Sequence, residues 1–306
     1  YSTKTFIHDD AAPSATIGFP VSGGFYNGAG LAVSSGSMSD VSNGNTGITD
    51  VRLILKRLDP PIGYWRESDN AFPPGIERST VSIHASSWTV AMPPLVSNVD
   101  YQMWVEATDG AGNVLWANGA ASQAAADTDM GNNTGGVPFL YDNDASVSVT
   151  TSPASGAYRN SQLAAIEGAS LDGLNSSGLS TSPGDQFRFR LSRSTAPSSS
   201  WQYWQGGAGW ASSVVDFFPT PAEIDAANKN FSWAQSLSGG SFLDDGRQYR
   251  TQIRSRDRAE SDGGRGARLS APGRVDAGAG HGRAPVRTGA AQEARHRAQR
   301  LRPVHL

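Results

Sequence analysis

Apolar and polar residues alternate along several short stretches of the chain with a period of two, which is typical of half-buried β-strands. Residues 51–56, VRLILK, place their three odd-numbered side chains on one face. Residues 187–192, FRFRLS, and residues 101–107, YQMWVEA, show the same alternation. Turn residues separate these stretches, and no long segment has a convincing helical stripe. The pattern predicts an all-β chain.

The alternating stretches belong to two repeats of one module. FIHDDAAPSATIGFP from Phe6 aligns without a gap with FLYDNDASVSVTTSP from Phe139, at an offset of 133 residues. The segments 101–109 and 249–257 align at an offset of 148. The offset changes only in Gly, Ser and Pro-rich stretches, where surface loops tolerate insertions. Two copies of one strand-rich module are therefore predicted.

The first repeat carries a turn signal at the end of its longest strand. Asp109-Gly110 and Gly112-Asn113 supply residues that tolerate positive φ, and the chain then returns as VLWAN. This arrangement predicts the last hairpin of a module. Several short strands with frequent turns indicate a β-sandwich.

Four motifs occur in the same order in both repeats and carry a family resemblance. They are the DDAAP-like start, a Tyr-Trp pair, a Ser-Trp pair, and YQMWVEATDGAGN from Tyr101. In this order they resemble the bacterial immunoglobulin-like repeats, which occur in tandem in large secreted and cell-surface proteins. The resemblance covers residues 6–118 and 139–259. It implies two immunoglobulin-like β-sandwiches, with Tyr101 and Tyr249 at the tyrosine corner.

The repeats and the resemblance together predict four parts of the chain. They are a first module at 1–118, a linker at 119–136, a second module at 137–259 that lacks its last strand, and a tail at 260–306. The tail begins where Gly-Asn is expected after Ala259, and it has no aromatic residue. Two interpretations remain open: a frameshift near Ala259, or a genuine disordered basic tail that could bind nucleic acid or an anionic surface through its charge.

Charge and composition limit the compartment and the partners. The net charge of -3 divides into about -9 for residues 1–257 and +6 for the rest. There is no Cys, and no apolar run approaches the ~18 residues of a membrane span. The chain begins at Tyr1 without a signal-like run, as expected for a fragment of a longer protein. The resemblance implies an extracellular or cell-surface location, with no nucleic-acid partner.

The sequence lacks the motifs of common enzymes. HExxH, P-loop and GxSxG patterns do not occur, and three of the five His residues lie in the tail. No convergent set of catalytic residues can be assembled from the rest, so the chain is predicted not to be an enzyme.

Oxygen-bearing side chains near the junction of the repeats suggest calcium. Calcium takes six to eight oxygen ligands, and an ion at a junction would stiffen a chain of modules. The alternative is a solvated linker, because Asp and Asn are ordinary turn residues. No other cofactor is expected. The candidate ligands are Asp127, Asp129, Asp142, Asn143 and Asp144, with Asp9, Asp10 and Asp109 in corresponding or nearby places.

Tryptophan suggests a second kind of site. Trp at matched positions of the two repeats is expected to pack on the cores. Trp104 and Trp116 have no Trp counterpart in the second repeat, so they are the candidates for an exposed patch that could stack on sugars. The matched or neighbouring residues are Trp65, Trp88, Trp204, Trp210 and Trp233.

These observations favour spacer or adhesion modules of a large exported bacterial surface protein. The expected partners are further modules of the same chain and an extracellular polymer such as a polysaccharide. The alternative is an accessory region of a secreted polysaccharide-degrading or proteolytic enzyme.

Overall fold

The fold is all-β and consists of two successive immunoglobulin-like β-sandwiches, as predicted. The computed structural model describes residues 3–40, 46–173, 176–180, 187–194, 200–207, 209–217, 220–224, 230–237 and 243–259. The predicted tail, 260–306, lies outside these ranges. In the part of the chain that the structure describes, no helix has the length and apolar character needed to span a membrane.

The first sandwich pairs a four-stranded sheet with a seven-stranded one. Its strands are β1 Ser14–Phe19, β2 Gly24–Tyr26, β3 Val33–Ser39, β4 Ile48–Arg57, β5 Gly63–Tyr64, β6 Ser79–Thr80, β7 Ser82–Ile83, β8 Ser87–Ala91, β9 Val99–Asp109, β10 Val114–Leu115 and β11 Val137–Tyr141. One sheet has the order β1-β3-β8-β7. The other has the order β2-β11-β9-β4-β5, with β10 beside β9 and β6 beside β4. Buried side chains from both sheets form one core.

The last strand of the first sandwich differs from the expectation. The predicted hairpin pairs only β10 with β9, and the chain then turns away at Asn118, where φ is 59°. β11, which the repeat boundaries assigned to the second module, runs antiparallel to the remaining edge of β9 and parallel to β2. It occupies this position because β9 is eleven residues long and β10 covers only its end. Phe139 in β11 is 2% exposed.

The segment predicted as a linker, 119–136, contains a packed helix. α1, Gln123–Gly131, begins at Ser122, whose side chain accepts a hydrogen bond from the backbone of Ala125. Ala126 and Met130 of α1 pack on the outer face of the larger sheet, against a small buried cluster that also contains Ile54, Tyr64, Trp104 and Ala117. Period-two alternation cannot show this, because the helix buries the side of β4 and β9 that the pattern leaves to solvent.

Lys56 illustrates how the helix changes the environment of β4. The alternation predicts an outward-facing, solvated lysine, yet the residue is 4% exposed. Its Nζ donates to the carbonyl oxygens of Met130 and Gly131 and to Oδ1 of Asn133, at 2.8, 3.1 and 2.5 Å. A cation is favourable at this end of a helix, where carbonyl groups lack intrahelical partners. Burial lowers the pKa of Lys56.

The second sandwich pairs two four-stranded sheets. Its strands are β12 Val147–Ser152, β13 Ala165–Leu171, β14 Phe187–Ser194, β15 Trp201–Trp204, β16 Trp210–Ala211, β17 Thr220–Ile224, β18 Asn230–Ser236 and β19 Tyr249–Ser255. The sheet orders are β12-β13-β18-β17 and β16-β15-β14-β19. The first sheet repeats the order β1-β3-β8-β7, and β19-β14-β15 repeats β9-β4-β5. On the outer side of β19 no strand pairs among the described residues.

Two matched features hold each core. Trp88 and Trp233 lie opposite Gly36 and Gly168 in neighbouring strands, and both rings are buried. Glycine is needed here because any side chain would occupy the space of the indole.

The tyrosine corner is the second matched feature. The hydroxyl of Tyr101 accepts a hydrogen bond from the backbone N–H of Val96 at 2.9 Å. Tyr249 accepts one in the same way from Asp244, also five residues upstream, at 2.5 Å. The geometry agrees with the position that the resemblance gave to both tyrosines.

Replacing the glycine under the tryptophan should destabilise the first sandwich. A Cβ atom on Gly36 would lie 2.6 Å from the ring of Trp88 and would overlap the carbonyl oxygen of Thr16. We expect Gly36→Ala to lower the free energy of unfolding by about 1–3 kcal/mol or more, as overpacked cores do. Gly75→Ala is the matched control, since nothing lies within 4 Å of its added Cβ. Equal calorimetric stability of the two variants would contradict this packing.

Candidate functional site

Three carboxylates meet at one end of the first sandwich. Asp9 precedes β1, Asp40 follows β3, and Asp109 ends β9, so the sandwich fold brings together residues that are far apart in the chain. One ligand oxygen from each lies within 4.8 Å of the others. Asp40 and Asp109 are 7% and 2% exposed. Buried carboxylates at this spacing repel one another unless donors or a cation compensate their charge.

Backbone and side-chain donors surround this cluster. Thr46 donates to Oδ2 of Asp9 from its backbone N–H at 3.2 Å and from its hydroxyl at 3.0 Å. The N–H of Gly47 donates to Oδ2 of Asp40 at 2.9 Å. Burial acts to raise the pKa of Asp109, but hydrogen bonds from Asn113 and other donors outweigh it, and the pKa lies below its usual value. The arrangement therefore favours the ionised form of Asp109.

The second sandwich has aspartates at the three corresponding positions. Asp142, Asp172 and Asp257 occupy the positions of Asp9, Asp40 and Asp109, and each is 1–2% exposed. One hydrogen bond is also repeated. The N–H of Ser177 donates to Oδ2 of Asp142 at 2.7 Å, as the N–H of Thr46 donates to Oδ2 of Asp9. Both sandwiches thus begin with an aspartate that is fixed in the same way.

Asp172 is the member of this second set whose carboxyl group is least compensated. Both of its oxygens are buried, and the donors nearest to them, the side chain of Ser176 and the N–H groups of Gly173 and Gly178, only partly offset its charge. Burial, followed by the nearby charge of Asp142, raises the pKa of Asp172 to about 6. A buried carboxylate whose charge is only partly offset is destabilising in its ionised form, so a proton or a cation would stabilise this position.

Asp142 also joins the two sandwiches. Its N–H donates to the carbonyl oxygen of Tyr26 in β2 at 2.7 Å, while its Oδ2 accepts from Ser177 of the second sandwich. Ser97, beside β9, donates its hydroxyl to Oδ1 of Asp142 at 3.5 Å. Nearby, the guanidinium of Arg258 lies 5.3 Å from the centre of the Phe25 ring. One residue therefore carries hydrogen bonds to both modules.

The five predicted calcium ligands do not converge. Asp127 of α1 forms an ion pair with Arg78 at 2.5 Å, and Asp129 accepts from Asn118 at 3.3 Å. Oδ1 of Asn143 accepts from the N–H of Gly28, and Asp144 accepts from Asn98. Of the set, Asp142 alone occupies a position that corresponds to a member of the carboxylate cluster in the first sandwich. The charge pattern of the junction could not reveal that α1 carries Asp127 and Asp129 onto the face of the first sandwich.

The predicted aromatic patch is also altered by α1. Trp104 is 1% exposed, and its Nε1 donates to the carbonyl oxygen of Thr134 at 3.1 Å. Trp116 is half-buried against the same cluster under the helix. Both residues line a shallow groove of about 250 Å³, together with Ile17, Gly136 and others. The ring of Trp104 presents too little surface to stack on a sugar.

Asp40 and Asp172 were not singled out in the sequence. The sequence nevertheless contains a signal for both residues. VSSGSMSD at 33–40 aligns with AIEGASLD at 165–172, and both segments end in an aspartate. The alignment does not include an aromatic residue, and its other matches are weak. Only the sheet order shows that the end of β3 lies beside the ends of β9 and of the segment before β1.

Comparisons with known proteins give distant structural neighbours. Neither family models nor curated proteins match this chain. The fibronectin(III)-like modules of Clostridium thermocellum CbhA align at 16% identity and a TM-score of 0.25, over 59% of this chain and 68% of theirs. The FN1–FN3 domains of chicken CNTN1 align at 11% identity and a TM-score of 0.26, over 82% of this chain. The chain spans 63% of that chicken structure. The fold assignment rests on the sheets themselves.

The raised pKa of Asp172 predicts how the stability of the second sandwich depends on pH. The folded state keeps this proton up to about pH 6, whereas the unfolded chain loses it near 3.8. Between these values the folded state binds more protons, so the contribution of Asp172 to stability falls as pH rises and is constant above both values.

Asp172→Asn should remove that contribution and raise stability near neutral pH relative to the native chain. Calorimetry from about pH 4 to about pH 7, in EDTA so that no cation replaces the proton, would measure the difference. Asp50→Asn, an exposed aspartate paired with Arg52, is the control. Parallel pH curves for the native chain and Asp172→Asn would contradict the assignment.

Proposed function

We propose that the two sandwiches are non-catalytic spacer modules of a larger exported bacterial surface protein. In this role they hold another part of the protein at a defined distance from the surface. The observation that carries the proposal is the junction at Asp142, whose hydrogen bonds join both sandwiches. A direct connection without a free linker restricts bending, which is what a spacer needs.

The repeated geometry of the junction gives further support. Asp9 is held by the first sandwich as Asp142 is held by the second. A chain of such modules would use the same contact at each junction. In arrays of this kind, stability is approximately a sum over modules and their interfaces. An adhesive role would place the contact with a polysaccharide or other polymer elsewhere in the protein.

We also propose that calcium binds at these aspartates and stiffens the junction. In the first sandwich three carboxylates lie within 4.8 Å of one another. In the second, aspartates stand at the corresponding positions, and burial and the charge of Asp142 raise the pKa of Asp172 to about 6. Calcium prefers carboxylate and carbonyl oxygens and tolerates irregular geometry. The residues that would hold it are Asp9, Asp40 and Asp109 in one sandwich, and Asp142, Asp172 and Asp257 in the other.

Spin-label distance measurements test the spacer role. The chain has no Cys, so labels can be placed at Val33→Cys and Val149→Cys, on exposed strand positions of the two sandwiches. We expect one narrow distance distribution in the otherwise native chain. Asp142→Ala should broaden it, because the variant removes the carboxylate hydrogen bonds to both modules, and Asp50→Ala should not. A broad distribution in the native chain would contradict a fixed junction.

The same labels test calcium. Adding calcium should narrow the distribution relative to EDTA and raise the unfolding temperature by mass action. Asp172→Asn should reduce both effects. Identical distance distributions and unfolding temperatures in calcium and EDTA would contradict calcium binding. The spacer role would then be tested by the Asp142→Ala variant alone.

The accessory-region alternative has less support. It depends on an exposed aromatic surface for polysaccharide, and Trp104 is buried beneath α1.

A further inference from the structure

The two sandwiches differ on the outer face of one sheet. In the first sandwich α1 covers the outer face of β4 and β9, where Ile54 lies opposite Trp104. The corresponding face of the second sandwich belongs to β14 and β19. Among the described residues no helix lies on it, and Arg188 and Arg250 on this face are exposed. Part of this face is therefore open to solvent.

The outward residues of this face are mostly arginine. Six positions of β14 and β19 match the six of β4 and β9 that lie beneath or beside α1, because the two strand pairs have the same register. In the first sandwich these positions carry two cations, one carboxylate, one amide and two apolar side chains. In the second sandwich they are Arg188, Arg190, Ser192, Arg250, Gln252 and Arg254. Such a face creates a positive potential that attracts anions.

An ion pair that holds α1 is reversed in the second sandwich. Arg78 pairs with Glu106 of β9 and with Asp127 of α1. The matched residue is Asp216, since Arg78 and Asp216 each come directly before a residue that pairs with β4 or β14. Asp216 accepts hydrogen bonds from Arg190. The cation that binds an acidic helix in the first sandwich is therefore replaced by a carboxylate.

The apolar contacts of α1 are also missing from this face. Met130 of α1 belongs to one buried cluster with Ile54 and Trp104. The residues at the positions of Ile54 and Trp104 are Arg190 and Gln252. A helix of the same kind would bury these polar groups without partners, which is unfavourable. The face suits a polar ligand better than a second helix.

Arg250 is held in position by an aromatic ring. Its guanidinium lies 4.4 Å from the centre of the ring of Trp201 in β15. Ser192, which lies opposite Arg250 in the intervening strand β14, is small and 1% exposed, so the arginine can reach across it. Stacking uses the flat side of a guanidinium and leaves its in-plane N–H groups for a ligand. Arg250 is thus pre-organised to bind a planar anion.

We propose that this face binds an acidic polysaccharide through the carboxylates of its uronic acid units. Arg250 binds one carboxylate through two parallel hydrogen bonds, which the geometry of a guanidinium allows. Tyr203 of β15 lies opposite Ser192 on the same face and offers a half-buried ring for the apolar side of a sugar. The inference goes beyond the spacer role and does not depend on it, because each residue of this site belongs to the second sandwich.

The charge of the rest of the chain favours a polysaccharide over a nucleic acid. Residues 1–257 carry a net charge of about -9. Double-stranded DNA has one charge per ~1.7 Å of its length, so the acidic body of the protein repels it strongly. A polymer of uronic acids has fewer charges along its length, and its sugar rings have apolar sides that can pack on Tyr203.

The proposed site lies away from the junction between the sandwiches. Arg250 is the second residue of β19, whereas Asp257, one of the aspartates at the junction end, follows the last residue of that strand. An adhesive role needs a polymer contact outside the junction. This face meets that requirement without interfering with the hydrogen bonds of Asp142.

Binding of a galacturonic acid hexamer to the full chain tests the proposal. Its methyl ester is the matched ligand, because it has the same sugar units without their charge. We expect the acid hexamer to bind and to shift the NMR signals of the side-chain N–H groups of Arg250 and Trp201. The ester should bind at least about tenfold more weakly. Added salt should weaken the binding of the acid, since it screens charges on the surface.

Three variants separate the site from the overall charge. Arg250→Gln should weaken binding of the acid hexamer at least about tenfold, as the loss of a central arginine often does. Arg250→Lys keeps the charge but loses the planar fork, so it should have a smaller but measurable effect. Arg159→Gln is the control, because it removes an exposed arginine between β12 and β13, in the opposite sheet. It should leave the affinity unchanged, and all three variants should keep the native unfolding temperature.

Four results would overturn the proposal. The first is equal binding of the acid and the ester. The second is an unchanged affinity of Arg250→Gln, which would place the ligand on another basic part of the chain, and the third is an equal loss in Arg250→Gln and Arg159→Gln. The fourth is tighter binding of single-stranded DNA or of a polyglutamate peptide of equal charge. None of these results changes the spin-label distances that test the spacer role.

Discussion

The pairing of β11 with β9 is the contact on which the rest of the structure depends. It covers the edge of an eleven-residue strand, of which the hairpin partner β10 pairs with only two residues. It also buries Phe139 against Tyr26 and Tyr101. Because β11 comes after α1 in the chain, this pairing holds the helix against the outer face of the sheet. It also brings Asp142 to the boundary between the sandwiches.

The carboxylate cluster of the first sandwich and the matching aspartates of the second follow from the same arrangement. An aspartate after β11 reaches the end of the next sandwich, where the ends of two of its own strands each carry another aspartate. Burying several carboxylates together is unfavourable unless their charge is compensated, and the donors around Asp109 provide part of this. At Asp172, burial and the charge of Asp142 outweigh the nearby donors, and its pKa is raised to about 6. The junction is thus held by hydrogen bonds from Asp142 and contains a charge that a proton or a cation stabilises.

Much of the fold could be predicted from the sequence, because the alternation of residues 51–57 and 187–193 and the repeated Tyr and Trp positions are local signals. The packing of Trp88 and Trp233 and the corner tyrosines agree with that prediction. The sequence could not place β11, since a strand looks the same whichever sandwich it completes. It also gave no sign of α1, whose few apolar residues, Ala126 and Met130, do not form a long stripe.

The candidate site was predicted less well for a related reason. Asp142 was among the predicted ligands, and Asp9 and Asp109 were noted near them, but Asp40 and Asp172 lie at strand ends that only the sheet order brings together. Trp104 was expected to be exposed because alternation describes one buried face, whereas α1 covers the second. In each case the missing information was which element covers a surface, and this depends on contacts between distant parts of the chain.

Native-state hydrogen exchange tests most directly whether the strand at the start of each repeat completes the sandwich before it. Amides of residues 137–141 should be protected like those of β9 and should exchange in the same cooperative unit, because they share one sheet. Free exchange of residues 137–141, or exchange together with β14 of the second sandwich, would contradict the account.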